Sequence, residues 1–185
     1  MNPQQVFDQY SKDPGHDMYE YLEFIRQVSF GSVLEIGVRG GVSTAAFLLS
    51  RATHVWSVDT DYRCADLYPD NPKWTFIHEN SRNDMAVSSK GSPIRVNTLM
   101  IDGDHSYEGL LSDLMKYVRL VSSGGLVLVH DVNPLNMCSL TAQQVEQGWP
   151  GSYTSRAWND FLAVKNLWSK SRVLPGKFGM GVIQL

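Results

Sequence analysis

The chain has 185 residues, and its 16 Lys and Arg against 19 Asp and Glu give a formal net charge of −3. Hydrophobic residues make up 43% of the sequence, which is ordinary for a globular protein and excludes a disordered or collagen-like chain. The slightly acidic balance provides no general attraction to phosphate backbones or anionic lipid. We therefore expect no nucleic-acid partner, no membrane partner, and one domain over residues 1–185.

The two cysteines and the first residues predict the compartment. Cys64 and Cys138 are far apart and form no CxxC motif, which is typical of a reducing compartment. The first residues form no basic and apolar signal segment, and the sequence has no run of 18 apolar residues. We expect a cytoplasmic protein, and the sequence leaves a homo-oligomer open.

Residues 1–30 are predicted to form a helical lead-in to the rest of the chain. Asn2 can cap a short helix that has Pro3 at its first position. Between residues 18 and 28, apolar side chains recur at the spacing of one helix face. The residues on this face are Tyr21, Leu22, Ile25 and Val28.

From residue 32, short apolar runs alternate with helical patterns, as in parallel βαβ units. The runs show no polar alternation, which indicates strands buried on both faces. We predict strands at 32–36, 54–58, 74–78, 98–101 and 125–130, and helices at 43–50 and 107–120. After residue 131 we predict a loop to about Tyr153, a helix at 155–167, and an antiparallel pair at 171–174 and 180–185. The expected fold is a doubly wound, mostly parallel α/β sheet with helices on both faces and ligands at the carboxyl ends of its strands.

A glycine loop, residues 37–44, follows the first predicted strand. Its glycines allow a tight turn and close approach of a ligand to the backbone. The loop is neither GxGxxG nor a Walker motif, which argues against a nicotinamide enzyme or another pyrophosphate ligand. The spacing Glu35-x-Gly37-x-x-x-Gly41 resembles motif I of class I S-adenosylmethionine-dependent methyltransferases. Asp59, just past the second strand, can accept both ribose hydroxyls, as an acidic residue does in dinucleotide folds.

The cofactor site predicted from this resemblance extends over four strand ends. Polar side chains after the third strand lie where the adenine ring is expected, and a carboxylate follows the fourth strand. The predicted cofactor-binding residues are Glu35, Gly37, Val38, Arg39, Gly41, Ser43, Thr44, Asp59, Asn80, Ser81 and Asp102.

Two carboxylates, Asp102 and Asp131, end the fourth and fifth predicted strands. In a sheet of order 3-2-1-4-5 these strands are neighbours about 4.8 Å apart. The carboxylates would repel each other unless a cation or proton lies between them. A divalent cation between the carboxylates removes this repulsion. We expect Mg²⁺ as the first candidate, with His130 as a third ligand. The alternatives are that Asp102 caps the next helix, Asp131 starts a turn, and His130 is a core histidine.

Several segments together resemble a methyltransferase family that includes the cephalosporin-hydroxylase-like proteins and the macrolide-sugar and rhamnosyl O-methyltransferases. They are residues 101–109, Asp113-Leu114, Gly124-Gly125 and His130-Asp131. The resemblance implies the sheet order 3-2-1-4-5-7-6 with the last strand antiparallel. It also implies a metal at Asp102 and an acidic pair ending the fifth strand, with His105 as the base. Here His130 replaces one carboxylate of that pair, which leaves a metal-free member open.

The expected activity is S-adenosylmethionine-dependent, metal-assisted O-methylation of a small hydroxylated acceptor such as a sugar or natural product. Transfer from a sulfonium needs a positioned and deprotonated acceptor, and we assign these tasks to Asp102 and His105. His105 could instead stabilise the start of the helix at Tyr107. The other functions left open are a cofactor-binding protein without transfer activity, an N-methyltransferase, and transfer to a macromolecule.

The predicted domain has three parts. Residues 1–30 are the lead-in, 31–131 the cofactor-binding core, and 132–185 the acceptor side. In the last part, Trp149, Tyr153 and Trp158 are either core residues or a wall of the acceptor crevice.

Overall fold

The computed structural model describes residues 1–83, 95–133 and 150–185. These residues form a seven-stranded sheet of order β3-β2-β1-β4-β5-β7-β6. Strands β1 to β5 are parallel, and β7 is antiparallel to both of its neighbours, which confirms the predicted fold class. The strands are β1 (Phe30–Ile36), β2 (Arg51–Asp59), β3 (Trp74–His78), β4 (Val96–Ile101), β5 (Val121–His130), β6 (Ser171–Leu174) and β7 (Met180–Gln184).

Helices flank the sheet at α1 (Pro3–Tyr10), α2 (Leu22–Val28), α3 (Val42–Leu48), α4 (Tyr107–Tyr117) and α5 (Pro150–Lys165). Asn2 caps α1 as predicted, because its side chain accepts the backbone N–H groups of Gln4 and Gln5. Helix α2 begins later than predicted, at Leu22, because the preceding residues form turns. In one of these turns the N–H of Tyr21 donates to the carbonyl of Met18. Within the described ranges, no helix is long and apolar enough to cross a membrane.

Strands β1, β2, β4 and β5 begin two to four residues before the predicted positions. Backbone pairing begins before each apolar run. For example, Val96 of β4 pairs with Val121 of β5. The predicted loop after residue 131 falls largely on residues 134–149, which lie outside the described residues, as do Cys138 and Trp149.

Two apolar layers cover the faces of the sheet. Successive residues of β1 point into different layers, Val33 toward α1, α2 and α3 and Leu34 toward α4 and α5. Both side chains are fully buried, and burial of such a side chain stabilises the fold by about 1.5–3 kcal/mol. This double burial explains why the strand sequences show no polar alternation.

Candidate active site

The glycine loop turns sharply at the carboxyl end of β1, against Asp102, the first residue after β4. Gly37 has a φ of 89°, and a Cβ added to it would lie 2.1 Å from the carbonyl oxygen of Asp102. Only glycine combines this backbone conformation with this close approach. The loop therefore brings the end of β1 against the first predicted carboxylate.

Asp59 at the end of β2 holds this loop through its backbone. Its Oδ2 accepts the N–H groups of Val38 at 2.8 Å and Arg39 at 3.0 Å, and its Oδ1 accepts the N–H of Asp61 at 2.9 Å. Arg39 adopts a φ of 50°, which is uncommon for a residue with a side chain. A carboxylate offers about four lone-pair sites, so Asp59 retains acceptor capacity for a ligand.

Glu35 lies beneath the loop with no exposed surface. Its Oε1 accepts the hydroxyl of Ser43 at 2.5 Å, and its Oε2 accepts those of Thr44 at 2.7 Å and Ser57 at 2.6 Å. Burial raises the pKa of Glu35 to about 7, although the three hydroxyl donors oppose this rise. Glu35 and Thr44, both fully buried, can therefore influence a ligand only through the loop above them.

Two clefts open on either side of the loop and share Val38, Arg39 and Asp102. The first, here the β2-side cleft, has a volume of about 650 Å³ and is also lined by Asp59, Gly103, His105 and the predicted adenine residues Asn80 and Ser81. The second, the N-terminal cleft, has a volume of about 480 Å³. Both volumes are typical of small-molecule sites.

The N-terminal cleft includes residues that sequence reasoning did not assign to the site. They come from the segment before α2 and from the turn before β7, and they are Tyr10, Gly15, His16, Asp17, Met18 and Phe178. No motif in the sequence links these segments to the glycine loop. The sequence predicted residues 1–30 only as a helical lead-in, so packing alone brings these segments to the loop.

Two carboxylates and two imidazoles form an acid–histidine cluster (Asp102, His105, His130 and Asp131) at the ends of β4 and β5. The Nε2 of His105 lies 3.2 Å from Asp102 Oδ1 and 3.2 Å from Asp131 Oδ2. The Nδ1 of His130 lies 3.2 Å and 3.4 Å from the same two oxygens. One donor atom each from Asp102, His105 and Asp131 also lies within 4.8 Å of the other two. The predicted meeting of the two strand ends is thus observed, and His105 joins it.

The charges in this cluster stabilise one another. Burial raises the pKa of Asp102, but His130 and His105 outweigh burial and hold it well below its ordinary value. A hydrogen bond to Asp102 raises the pKa of His105. Burial lowers the pKa of His130, yet the adjacent carboxylates raise it well above its ordinary value. The two carboxylates therefore favour positive charge at this position.

The two histidines differ in their surroundings. The side chain of His130 is 2% exposed, against 35% for His105. The ring of His130 packs against those of Tyr21 and Phe178, and its Nε2 has no hydrogen-bond partner within the described part of the chain. Asp131, next to it, has a φ of 63°, a strained conformation that is often found at functional sites.

A family model described as a methyltransferase domain (Methyltransf_24) matches residues 34–132, which include the end of β1, strands β2 to β5, the glycine loop and the acid–histidine cluster. The chain belongs to this methyltransferase family. With the sheet order, this places the methyltransferase in class I, the S-adenosylmethionine-dependent enzymes, as the glycine loop and Asp59 predicted. No curated protein matches the chain significantly.

Solved structures share the fold of this methyltransferase at low sequence identity. PaMTH1 from Podospora anserina, bound to S-adenosylhomocysteine, is 14% identical with a TM-score of 0.63, over 99% of this chain and 87% of that one. The O-methyltransferase from Bacillus cereus, in complex with the same ligand, is 12% identical with a TM-score of 0.58. The match covers 100% of this chain and 90% of that one. MycE of mycinamycin biosynthesis, with Mg and S-adenosylhomocysteine, is 16% identical with a TM-score of 0.65, over 100% of this chain but 54% of MycE.

Residues near the cluster in this methyltransferase have structural roles. Ser106, rather than Asp102, is the N-cap of α4, so capping does not explain Asp102. Asp104 accepts the backbone N–H of Ser106 and pairs with Arg82 at 2.6 Å, and the hydroxyl of Tyr107 donates to Asp160. Among the predicted wall aromatics, Trp158 is a core residue that is 2% exposed, while Tyr153 is 38% exposed.

Proposed function

We propose that this methyltransferase transfers a methyl group from S-adenosylmethionine to a hydroxyl of a small acceptor, such as a sugar or natural product. The observation that carries the proposal is the acid–histidine cluster beside the glycine loop, with Asp102 lining both clefts. A structure of MycE with Mg, S-adenosylhomocysteine and mycinamycin VI supports a small-molecule acceptor by analogy of fold. Bound S-adenosylmethionine supplies a methyl group already activated for displacement.

The residues around the loop bind the cofactor in this proposal. Asp59 accepts one ribose hydroxyl with its remaining lone-pair site, and Asn80 and Ser81 border the adenine in the β2-side cleft. The loop backbone from Gly37 to Gly41 and the side chain of Ser43 lie beside the methionine end. Glu35 and Thr44 act from below by fixing the loop.

His105 acts as the general base in this proposal. It is the more exposed of the two imidazoles and lines a cleft, so it can exchange a proton with solvent. Its hydrogen bond to Asp102 orients the ring and stabilises the protonated form that results from deprotonation of the acceptor. Positioning the acceptor oxygen beside this base is the main task left to the protein.

The remaining three members of the cluster fit a divalent cation. Carboxylate oxygens and imidazole nitrogen are common ligands of such ions, and Asp102, Asp131 and His130 direct these atoms toward one another. When bound, the cation supplies positive charge that lowers the pKa of an acceptor hydroxyl. The proposed domain is single, with residues 1–30 as the lead-in, 31–131 as the cofactor-binding core and 132–185 as the acceptor side.

The test is transfer of labelled methyl to a panel of small hydroxylated acceptors, with the corresponding amines as a second set. We expect transfer to hydroxyl groups, and a His105→Gln variant to lose about 10²–10⁴-fold in turnover with unchanged cofactor affinity by calorimetry. His54→Gln, outside the cluster, is the matched control. Cofactor binding without transfer to any acceptor would contradict the proposal, as would transfer to amines alone.

A further inference from the structure

We propose that a cavity at the amino ends of the parallel strands, here the amino-edge cavity, binds an elongated organic anion: a carboxylate attached to an alkyl or aryl body. Residues of α2 and of β1, β2, β5, β6 and β7 line this cavity. Its volume of about 710 Å³ is larger than that of the N-terminal cleft and typical of small-molecule sites. This inference does not depend on the proposed function.

The amino-edge cavity is separate from the candidate active site. It is lined by Phe30 and Arg51, the first residues of β1 and β2, whereas the glycine loop follows the carboxyl end of β1. The cavity shares no lining residue with the β2-side cleft or the N-terminal cleft. The cofactor of an open α/β sheet lies beyond the carboxyl ends of the strands, so a ligand of the amino-edge cavity is a different molecule.

The floor of the cavity is apolar and partly open to solvent. Phe24, Val28 and Phe30 line it and are half-buried, while Leu126 and Val182 are 8% and 4% exposed. All five side chains belong to the apolar layer that includes α1, α2 and α3. A ligand with an apolar body would remove the exposed part of this surface from water, which favours binding.

The charged residues that line the cavity are all positive. They are Arg51, Lys170 and Arg172, all exposed, and no acidic side chain lines the cavity with them. Their side chains form no ion pair or hydrogen bond with the residues that the structure describes. The guanidinium of Arg172 lies 5.9 Å from the ring centroid of Phe24, which holds its charge at the apolar floor. Positive charge without a counter-ion beside apolar surface fits an anion with an apolar body.

The positions of the three cations favour an elongated ligand with its acidic group near β6. Lys170 immediately precedes β6, and Arg172 is the second residue of this strand. Arg172 pairs with Val182 of the floor, and directly paired residues share one face of a sheet. Arg51, on β2, is five strand intervals from β6, or about 24 Å at about 4.8 Å per interval. The two neighbouring cations therefore form the stronger anion-binding end.

Binding of two acids to the full chain, measured by calorimetry, tests the ligand class. The acids are decanoate and naphthoate, and their uncharged analogues are decanamide and naphthamide. At least one acid should bind, and its amide should bind about tenfold or more weakly, because the amide lacks the charge. The acid that binds more tightly identifies an alkyl or an aryl body. Its affinity should fall between about 0.1 M and about 1 M salt, because exposed charges are screened. Binding of neither acid, or equal affinity for acid and amide, overturns the proposal.

Substitutions then test the position of the site. The double variant Lys170→Gln/Arg172→Gln should bind the acid about tenfold or more weakly than wild type. Both side chains are exposed, so this variant should fold. Lys165→Gln, an exposed lysine of α5 outside the cavity, is the matched control and should keep wild-type affinity. Phe24→Ala should also weaken binding, because it removes part of the floor.

Competition with S-adenosylhomocysteine distinguishes this site from the candidate active site. A saturating concentration of S-adenosylhomocysteine should leave the affinity for the acid unchanged, because the two sites share no lining residue. Displacement of the acid by S-adenosylhomocysteine, or unchanged affinity in the double variant, overturns the proposal. The proposed function fails on a different result, the absence of methyl transfer, so the two failures are distinguishable.

Discussion

Replacement of Glu35 by Gln should remove a defined pH dependence from the stability of this methyltransferase. Glu35 is fully buried beneath the glycine loop and accepts three hydroxyl hydrogen bonds. Burial raises its pKa from 4.5 to about 7. Between these values the folded protein keeps the carboxyl protonated while the unfolded chain releases the proton. Unfolding is therefore favoured as the pH rises.

The magnitude follows from linkage between protonation and folding. Across the interval from 4.5 to about 7, the free energy of unfolding should fall by about 1.4 kcal/mol per pH unit through this one group, about 3 kcal/mol in all. Above pH 7 the contribution is constant. Glutamine keeps the shape and does not ionise, so the stability of Glu35→Gln should lack this decrease.

Urea unfolding of wild type and Glu35→Gln at pH 5, 6, 7 and 8 measures the effect. The difference in unfolding free energy between the two proteins should change by about 2.5 kcal/mol from pH 5 to pH 8, in favour of the variant. Groups common to both proteins cancel in this difference. Glu108→Gln, an exposed carboxylate of α4, should show no such change. Parallel pH profiles for wild type and Glu35→Gln would refute a protonated buried Glu35.

Three further substitutions test the site. Gly37→Ala should lower the unfolding free energy, measured in urea, by more than about 2 kcal/mol, because Gly37 has a positive φ and an added Cβ would lie 2.1 Å from a carbonyl oxygen. The control Gly40→Ala should change it by less than about 0.5 kcal/mol, because the nearest atom to an added Cβ there is 4.0 Å away. Asp59→Ala should weaken S-adenosylmethionine binding by roughly 1.5–3 kcal/mol in calorimetry, and unchanged affinity would place the nucleoside elsewhere. Asp131→Asn should abolish metal-dependent turnover yet preserve cofactor affinity, because Asp131 lines neither of the two described clefts; retained turnover would argue against a metal there.

The sequence by itself determined the sheet and the position of the site along it. Apolar runs without alternation predicted parallel strands buried on both faces, and both layers of the core are observed. The meeting of Asp102 and Asp131 was also predictable, because neighbouring parallel strands end at the same edge and Ile101 pairs with Val129. These inferences succeeded because each depends on local spacing and on one rule of sheet topology.

Only the tertiary structure decided how the side chains divide their tasks. Glu35 is the last residue but one of β1 and Asp59 is the last residue of β2. Glu35 is buried beneath the loop and Asp59 binds the loop backbone, and the sequence pattern does not distinguish these positions. The position of His105 between two carboxylates from different strands depends on the turn into α4. The N-terminal cleft joins His16 to Phe178, which are distant in the chain. Such contacts arise from packing between distant segments, which no local periodicity encodes.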